Sequence, residues 1–505
     1  MNYEIRYSKL NERQKQAVNT IEGPVMVVAG PGTGKTELLS MRAANILRRT
    51  DMLPENILCL TFTESGSIAM QKRLVDIIGR EAYGVSVFTF HAFGSEIISR
   101  YREYFYNGAD FNPADELTRH KIITDILQEL PPKNPLKTMM NGEFTSVGMI
   151  ISAISDIKRA GLEPKELTAI LDANDEVIDI AEPLLIEAFS ARVNKNTFDK
   201  LASVSESLAK INEPQPIPTI SRLSDILRAS LKRSLEEASE HPKITPPLTK
   251  WRTDWMTKSE AKKPIMAARK QQIKLRALVD IYEKYLENMQ SAKLYDFDDM
   301  ISQVVHAIEQ NPSLQAELQE KYQYIMVDEF QDTNHAQMRI LHALTNNPAN
   351  EGNPNLMVVG DDDQAIYSFQ GADIGNILDF KKHYKNAKLI TLIDNYRSAE
   401  CILTAAREVI TQGSERLENR IDELDKNLSP HALPEKPNAE IVTLPSEGSE
   451  REWIARDIKD KLKNGQNPGD IAILARRHAD LVSLLPYLAK AQIPVSYDQN
   501  DNVLD

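Results

Sequence analysis

Cysteine is nearly absent: Cys59 and Cys401 are the two in 505 residues. A disulfide scaffold and a four-cysteine metal site within the chain are thereby excluded. Both lie in apolar surroundings, which suits small buried hydrophobes in a reducing, cytoplasmic setting. No apolar run approaches the roughly 20 residues a membrane span needs. The start, MNYEIRYSKLNERQKQAV, lacks the apolar core of a signal peptide. Excess positive charge is missing too. The net charge is −13, which by itself argues weakly against nucleic acid, although a basic groove can sit on an acidic body. No internal repeat and no nuclease-type cluster of carboxylates and lysine is visible. What remains is a globular composition, 42% apolar and 26% charged, in a chain too long for one core.

One stretch organises the rest. Val25 to Val28 form an apolar strand, followed by a glycine-rich loop, Lys35-Thr36 and a helical run to Arg48. Strand, loop and helix in that order line up backbone N–H groups at a helix N-terminus, where a polyphosphate can sit. The loop is Ala29, Gly30, Pro31, Gly32, Thr33, Gly34, Lys35 and Thr36. Gly32 and Gly34 let the backbone approach phosphate, Lys35 reaches the terminal phosphates, and the Thr36 hydroxyl suits Mg²⁺. Ala29 stands where the strict pattern has glycine, a position that needs only a small side chain.

Strand and helix alternate over residues 1–100, which predicts a parallel sheet with crossover helices. Helical periodicity then dominates 101–289, punctuated by proline clusters. The α/β pattern resumes at 290. Tyr324–Val327 is a strand ending in Asp328-Glu329, and Leu356–Val359 is another, ending before Gly360-Asp361-Asp362-Asp363. Gly413 to Pro437 reads as a polar surface connection with one short helix. Beyond it, strands at 440–444 and 470–475 alternate with helices at 450–462 and 479–491.

Asp328 suits a Mg²⁺-coordinating carboxylate and Glu329 a base for the attacking water, though paired acids also cap strands for solubility. Gln364 follows a third strand end, where an amide can touch both γ-phosphate and water. Arg397 is a candidate for neutralising transition-state charge, with a surface ion pair as the alternative. Its neighbour Tyr396 can stack on a base. Gln14 has the paired donor and acceptor that adenine recognition uses, and equally suits a helix face. Lys250 to Arg276 carries nine basic against two acidic residues beside Trp251 and Trp255, a nucleic-acid grip or a solvated helix face.

The segments AGPGTGKT (29–36), LTFTESGSIAM (60–70), VFTFHAF (87–93), YDFDDMI (295–301), IMVDEFQDTN (325–334), VVGDDDQAIYSFQGAD (358–373) and LIDNYRSAECI (392–402) occur in this order. Together they resemble the motif series of UvrD/Rep-type superfamily 1 DNA helicases. The resemblance implies a RecA-like P-loop motor domain (1–100 and 290–375), a large helical insertion (101–289) and part of a second RecA-like α/β domain (376–505). It implies ATP and Mg²⁺ between the motors and 3′→5′ movement on single-stranded DNA and at single/double-strand junctions, with repair or replication proteins as partners. Carried over by position, Gln14 would read adenine and Tyr396 stack on it. Lys35, Thr36, Asp328, Glu329, Gln364 and Arg397 would serve phosphate, metal and water. Thr61, Phe62, Thr63, Thr89, Phe90, His91, Tyr367 and Phe369 would face DNA. Hydroxyls suit phosphate oxygens and exposed aromatics suit stacking, while Phe62 and Phe90 equally suit a core.

Gln370 and Glu37 depart from the family pattern, each standing where arginine is usual. The motif series also stops before the family's later motifs. That predicts an N-terminal portion of a longer helicase, able to bind ATP but weak in DNA-stimulated hydrolysis and unwinding. The motor of a helicase–nuclease, a protein-stripping translocase and a non-catalytic DNA-binding platform stay open.

Overall fold

A computed structural model describes residues 2–105, 111–211, 213–217, 220–259, 261–366, 375–413, 416–421, 424–431 and 440–497. The chain divides into two compact units, Met1–Pro434 and Glu435–Asp505.

The larger unit is built on six parallel strands: β1 (Val25–Ala29), β2 (Ile57–Thr61), β3 (Ser86–Thr89), β4 (Tyr324–Val327), β5 (Leu356–Gly360) and β6 (Lys388–Leu392). Their order is β6-β1-β5-β4-β2-β3. β1, β2, β4 and β5 are buried along their whole length. Continuous apolar runs of this kind belong in a sheet covered on both faces. Alternate residues serve opposite faces, as the two-residue period of a strand requires. Met26, Val28, Leu58, Leu60, Val327 and Val358 enter one core. Val25, Val27, Cys59, Met326, Met357 and Val359 enter the other. Helices α1 (Asn2–Lys9), α2 (Glu12–Asn19), α3 (Lys35–Arg49) and α4 (Glu64–Ile78) contribute to the second core; α5 (Phe90–Arg100) contributes to the first.

β6 lies beyond the boundary expected at 376, yet it pairs with β1 along its length, Val25 opposite Lys388 and Ala29 opposite Leu392. A strand's pattern reports burial and does not name its partner, so the sequence left it in the wrong sheet. Two further expectations fail. The segments 440–444 and 470–475 carry no strand pairing, and Ile441 and Leu474 are almost fully exposed. The smaller unit instead closes two helices, Glu447–Lys463 and His478–Lys490, on Ala455, Ile458, Leu484 and Leu488. The supposed surface connection is not peripheral either: Leu417 and Leu424 are buried in the first core.

The insertion is helical, as expected: α6 (Glu116–Glu129), α7 (Val147–Arg159), α8 (Pro164–Ala188), α9 (Lys195–Leu208), α10 (Leu223–Glu240), α11 (Thr245–Trp255) and α12 (Ala267–Ser291). It has two cores rather than one. Ile123, Ile150, Leu171 and Tyr282 belong to the first; Leu185, Leu201, Leu231 and Trp251 to the second. The chain then re-enters the sheet domain through α13 (Phe297–Gln310), α14 (Pro312–Lys321) and α15 (His335–Thr345), with α16 (Gly375–His383) and α17 (Glu400–Ile410) later. Buried charges fasten the insertion to the sheet domain. Lys158 Nζ lies 2.8 Å from Asp296 and 2.5 Å from Asp299. Arg339 bridges Glu309 at 2.5 Å and Glu166 at 3.1 Å.

Candidate nucleotide site and nucleic-acid face

All six strands point their C-terminal ends the same way, and the site stands on those ends, as ligand sites in open parallel sheets do. β1 leads into the loop. Gly32 has φ +72 and Gly34 φ +87, conformations that side-chain-bearing residues rarely adopt. A Cβ on Gly32 would also lie 2.7 Å from that of Arg397. Thr33 Oγ1 donates to Gly30 O at 2.7 Å and closes the turn. α3 begins at Lys35, so its first N–H groups face the loop.

Lys35 Nζ pairs with Glu329 Oε2 at 2.6 Å. Glu329 itself sits in the left-handed region, φ 48 and ψ 46, a placement that costs about 1–3 kcal/mol for a side-chain-bearing residue. Asp328 Oδ1 accepts the Glu329 N–H at 2.9 Å and Glu329 O accepts that of Asp332 at 2.9 Å, which hold the turn. Burial, and then the Glu329 charge, push the Asp328 carboxyl up to about 6, with Lys35 opposing. The same causes push Asp332 up to about 6. Asp332 Oδ1 is buried with no partner. Among the described residues no three acids, histidines or cysteines form a metal cage. One buried carboxylate and one hydroxyl fit a Mg²⁺ whose remaining ligands are water and nucleotide phosphates.

Gln331, buried and overlooked in the sequence, joins this group to the next strand end. It donates to Glu329 Oε2 at 2.8 Å, and its Oε1 accepts the Asp361 N–H at 2.9 Å. A Cβ on Gly360 would lie 2.7 Å from Gln331 Oε1, so a side chain there would displace this amide from its link. Asp361 Oδ2 in turn accepts from Gln364 Nε2 at 2.7 Å. Lys35, Glu329, Gln331, Asp361 and Gln364 are therefore one continuous chain of contacts. The sequence had pointed to Lys35, Glu329 and Gln364; Gln331, which links them, showed only as a glutamine inside IMVDEFQDTN.

Gln14 is buried. Its Oε1 accepts the Asn11 N–H at 3.1 Å, completing the capping box of α2, and its Nε2 donates to Thr33 O at 2.9 Å, so one amide end braces the loop. Arg42 secures α2 behind it by donating to Ala17 O at 2.9 Å and Ile21 O at 3.1 Å. From the other side, Asn395 Nδ2 donates to Pro31 O and the Tyr396 N–H to Gly32 O at 3.0 Å. Tyr396 is half exposed, with its ring 5.4 Å from that of His431. Arg397 is exposed, with its Cβ against Gly32. Glu37, where arginine was usual, is ion-paired with Arg6 and Arg73.

The residues expected to face DNA divide. Thr63 is exposed and caps α4 by accepting the Gly66 N–H at 3.0 Å. Thr89 is buried and caps α5. Thr61 is buried and bonds Thr63 O. Phe62 is half-buried. Phe90 corrects the expectation: only 2% exposed, it packs into the first core, because the first turn of α5 presents it to the sheet. His91 is half-buried and meets the ring of Phe297 edge-on at 5.9 Å. Phe297, within YDFDDMI, is 71% exposed at the start of α13. Nothing but the quoted motif pointed to it. Tyr367, Phe369 and Gln370 lie outside the described residues. Trp251 is buried and stacks on Phe189 and Trp255, with both indoles donating to Ser230. Arg269 and Arg276 pair with acids of α8, so two of the nine basic residues of that stretch are neutralised within the insertion. Cys59 is buried, as expected, whereas Cys401 is exposed on α17.

A parallel sheet whose loop lysine meets strand-end acids defines a P-loop nucleotide-binding unit. The chain belongs to the UvrD/Rep helicase family. The UvrD/REP helicase N-terminal domain matches residues 10–214 and 185–385, and the UvrD-like helicase C-terminal domain matches 390–501. Similar proteins include the ATP-dependent DNA helicase PcrA of Staphylococcus aureus (strain Mu50) and that of Staphylococcus epidermidis (strain ATCC 12228), each 27% identical over 485 residues. The match takes in 96% of this chain and 50% of each relative. The chain thus spans about half the length of the curated relatives it matches. No described helix is long and apolar enough to cross a membrane.

Proposed function

We propose that this chain is the motor of an ATP-dependent DNA helicase or translocase, hydrolysing ATP to move 3′→5′ on cytoplasmic single-stranded DNA and at single/double-strand junctions. Repair or replication proteins are its partners in this reading. The observation that carries it is the unbroken contact chain from Lys35 through Glu329, Gln331 and Asp361 to Gln364. A γ-phosphate competes with Glu329 for Lys35. Once Lys35 turns to phosphate, the Glu329 carboxylate loses its cation and is left beside Gln331 to orient a water. Thr36 and Asp328 would hold Mg²⁺, which when bound neutralises phosphate charge. Arg397 completes the charge around the phosphate and Tyr396 stacks on the base.

Lys35→Ala is expected to lower DNA-stimulated turnover by about 10²–10³-fold, the scale for losing one electrostatic stabiliser. Unchanged turnover and nucleotide affinity would overturn the proposal. On the DNA side, Phe297 supplies the exposed ring, with the half-buried His91 edge-on against it, and the α4 and α5 N-termini at Thr63 and Thr89 serve phosphates. Phe297→Ala should weaken single-stranded DNA binding by about 1–3 kcal/mol in a fluorescence titration. Phe90→Ala should instead cost about 3–5 kcal/mol of stability.

A further inference from the structure

The stretches 416–421 and 424–431 belong to none of the phosphate-facing loops, yet they touch three of them. Lys426 Nζ lies 2.6 Å from Asp361, 2.6 Å from Asp362 and 2.7 Å from Asp363. Arg416 grips Asp363 with a two-pronged pair, both contacts 2.7 Å, and reaches Glu418 at 2.8 Å. The Leu417 N–H donates to Asp362 at 2.8 Å. Both cations are buried, with side chains 4% and 7% exposed. Further along, Leu428 covers the P-loop: a Cβ on Gly30 would lie 2.9 Å from its Cδ2. Ser429 and Pro430 pair with Asp394 and Asn395, just before Arg397.

The placement of Lys426 is more than glue. It bonds one oxygen of the Asp361 carboxylate whose other oxygen holds the Gln364 amide. Three consecutive acids on one turn would repel one another and splay without a shared counter-charge. Buried ion clusters of this kind fix one geometry at the expense of desolvation.

We propose that these two stretches form a strap that positions Gln364, with Arg416 and Lys426 as positioning residues, so that preference for nucleoside triphosphate over diphosphate depends on cations outside every phosphate-binding loop. This rests on the nucleotide-site reading above. The strap sets where the amide stands, and the amide registers the γ-phosphate. ADP, which lacks that phosphate, is held by the P-loop and does not register the Lys426–Asp361–Gln364 contact.

The test measures binding of ADP and of a non-hydrolysable ATP analogue to the intact chain and to Lys426→Met, Lys426→Arg and the charge-balanced pair Lys426→Met with Asp362→Asn. Thermal unfolding reports whether each variant is folded. Lys426→Met is expected to keep ADP affinity within about twofold and lose about tenfold of the triphosphate preference, a normal size for coupling between sites. Lys426→Arg should regain most of it. The balanced pair should unfold near the wild-type temperature and still lack the preference. A folded balanced pair that discriminates like wild type overturns the strap's role alone. A wild-type chain that binds neither nucleotide overturns the nucleotide-site reading, and the strap with it.

Discussion

β4 and β5 are adjacent, and both end in acids, but the two groups are balanced in opposite ways. At the end of β4, Asp328, Glu329 and Asp332 share one cation, Lys35. Burial wins there, and Asp328 and Asp332 are both pushed up to about 6. At the end of β5, Asp361, Asp362 and Asp363 share Lys426 and Arg416. Although burial opposes it, the bonds from Arg416 and Lys426 hold Asp363 below the usual carboxylate range. An undercompensated acid is a standing demand for a cation, which is what a nucleotide-borne metal provides. A compensated acid makes no such demand and serves as a fixed joint. The candidate site is therefore proposed at the end of β4, where the charges do not balance.

The comparison breaks most severely where the joint is cut. Lys426→Met should cost about 3–5 kcal/mol of stability in urea denaturation, because it leaves buried carboxylates unpaired. A loss below about 1 kcal/mol would mean that water already screens the cluster.

The other group should respond with the opposite sign. Asp328 has a folded value near 6 against an ordinary 3.8. Its contribution to nucleotide-free stability is fully present below 3.8 and is lost as pH rises through 6, by up to about 3 kcal/mol. Asp328→Asn should remove that decline and leave the variant more stable at pH 7. The readout is the difference between variant and wild-type melting temperatures from pH 4 to 7. Taking a difference cancels His342, which burial, and next His383, push down to about 4. Its contribution is lost as pH falls from 6.5 toward 4. A flat difference would equate the two strand ends.

A gentler change separates charge from shape. Arg416→Lys keeps the cation and loses the fork on Asp363, so about 1 kcal/mol should go. An equal cost for Lys and Met at 416 would show that the fork, not the charge, is what β5 needs.

Much of the site was legible because local order carries it. The loop Ala29–Thr36 lies between a strand and a helix, and Asp328 and Gln364 each follow a strand end. Phe90 was placed on the DNA side and Phe297 was passed over for one reason: both open a helix inside a quoted motif, and only the packing of α5 and α13 says which ring is buried. Gln331 was invisible as a link because its partner, Asp361, is thirty residues away. The strap looked like a solvated connection since charge in sequence gives no hint of being paired. Its cations find their acids 53 and 64 residues back.

By itself the sequence determined the phosphate loop, the acids at the strand ends, the helical character of the insertion and the family, since each depends on residues close together or on a fixed order of short strings. Only the tertiary structure decided which sheet takes β6, which aromatic meets solvent, and which carboxylates receive a counter-charge. Those outcomes depend on desolvation and on neighbours brought from far along the chain, and no local pattern encodes them.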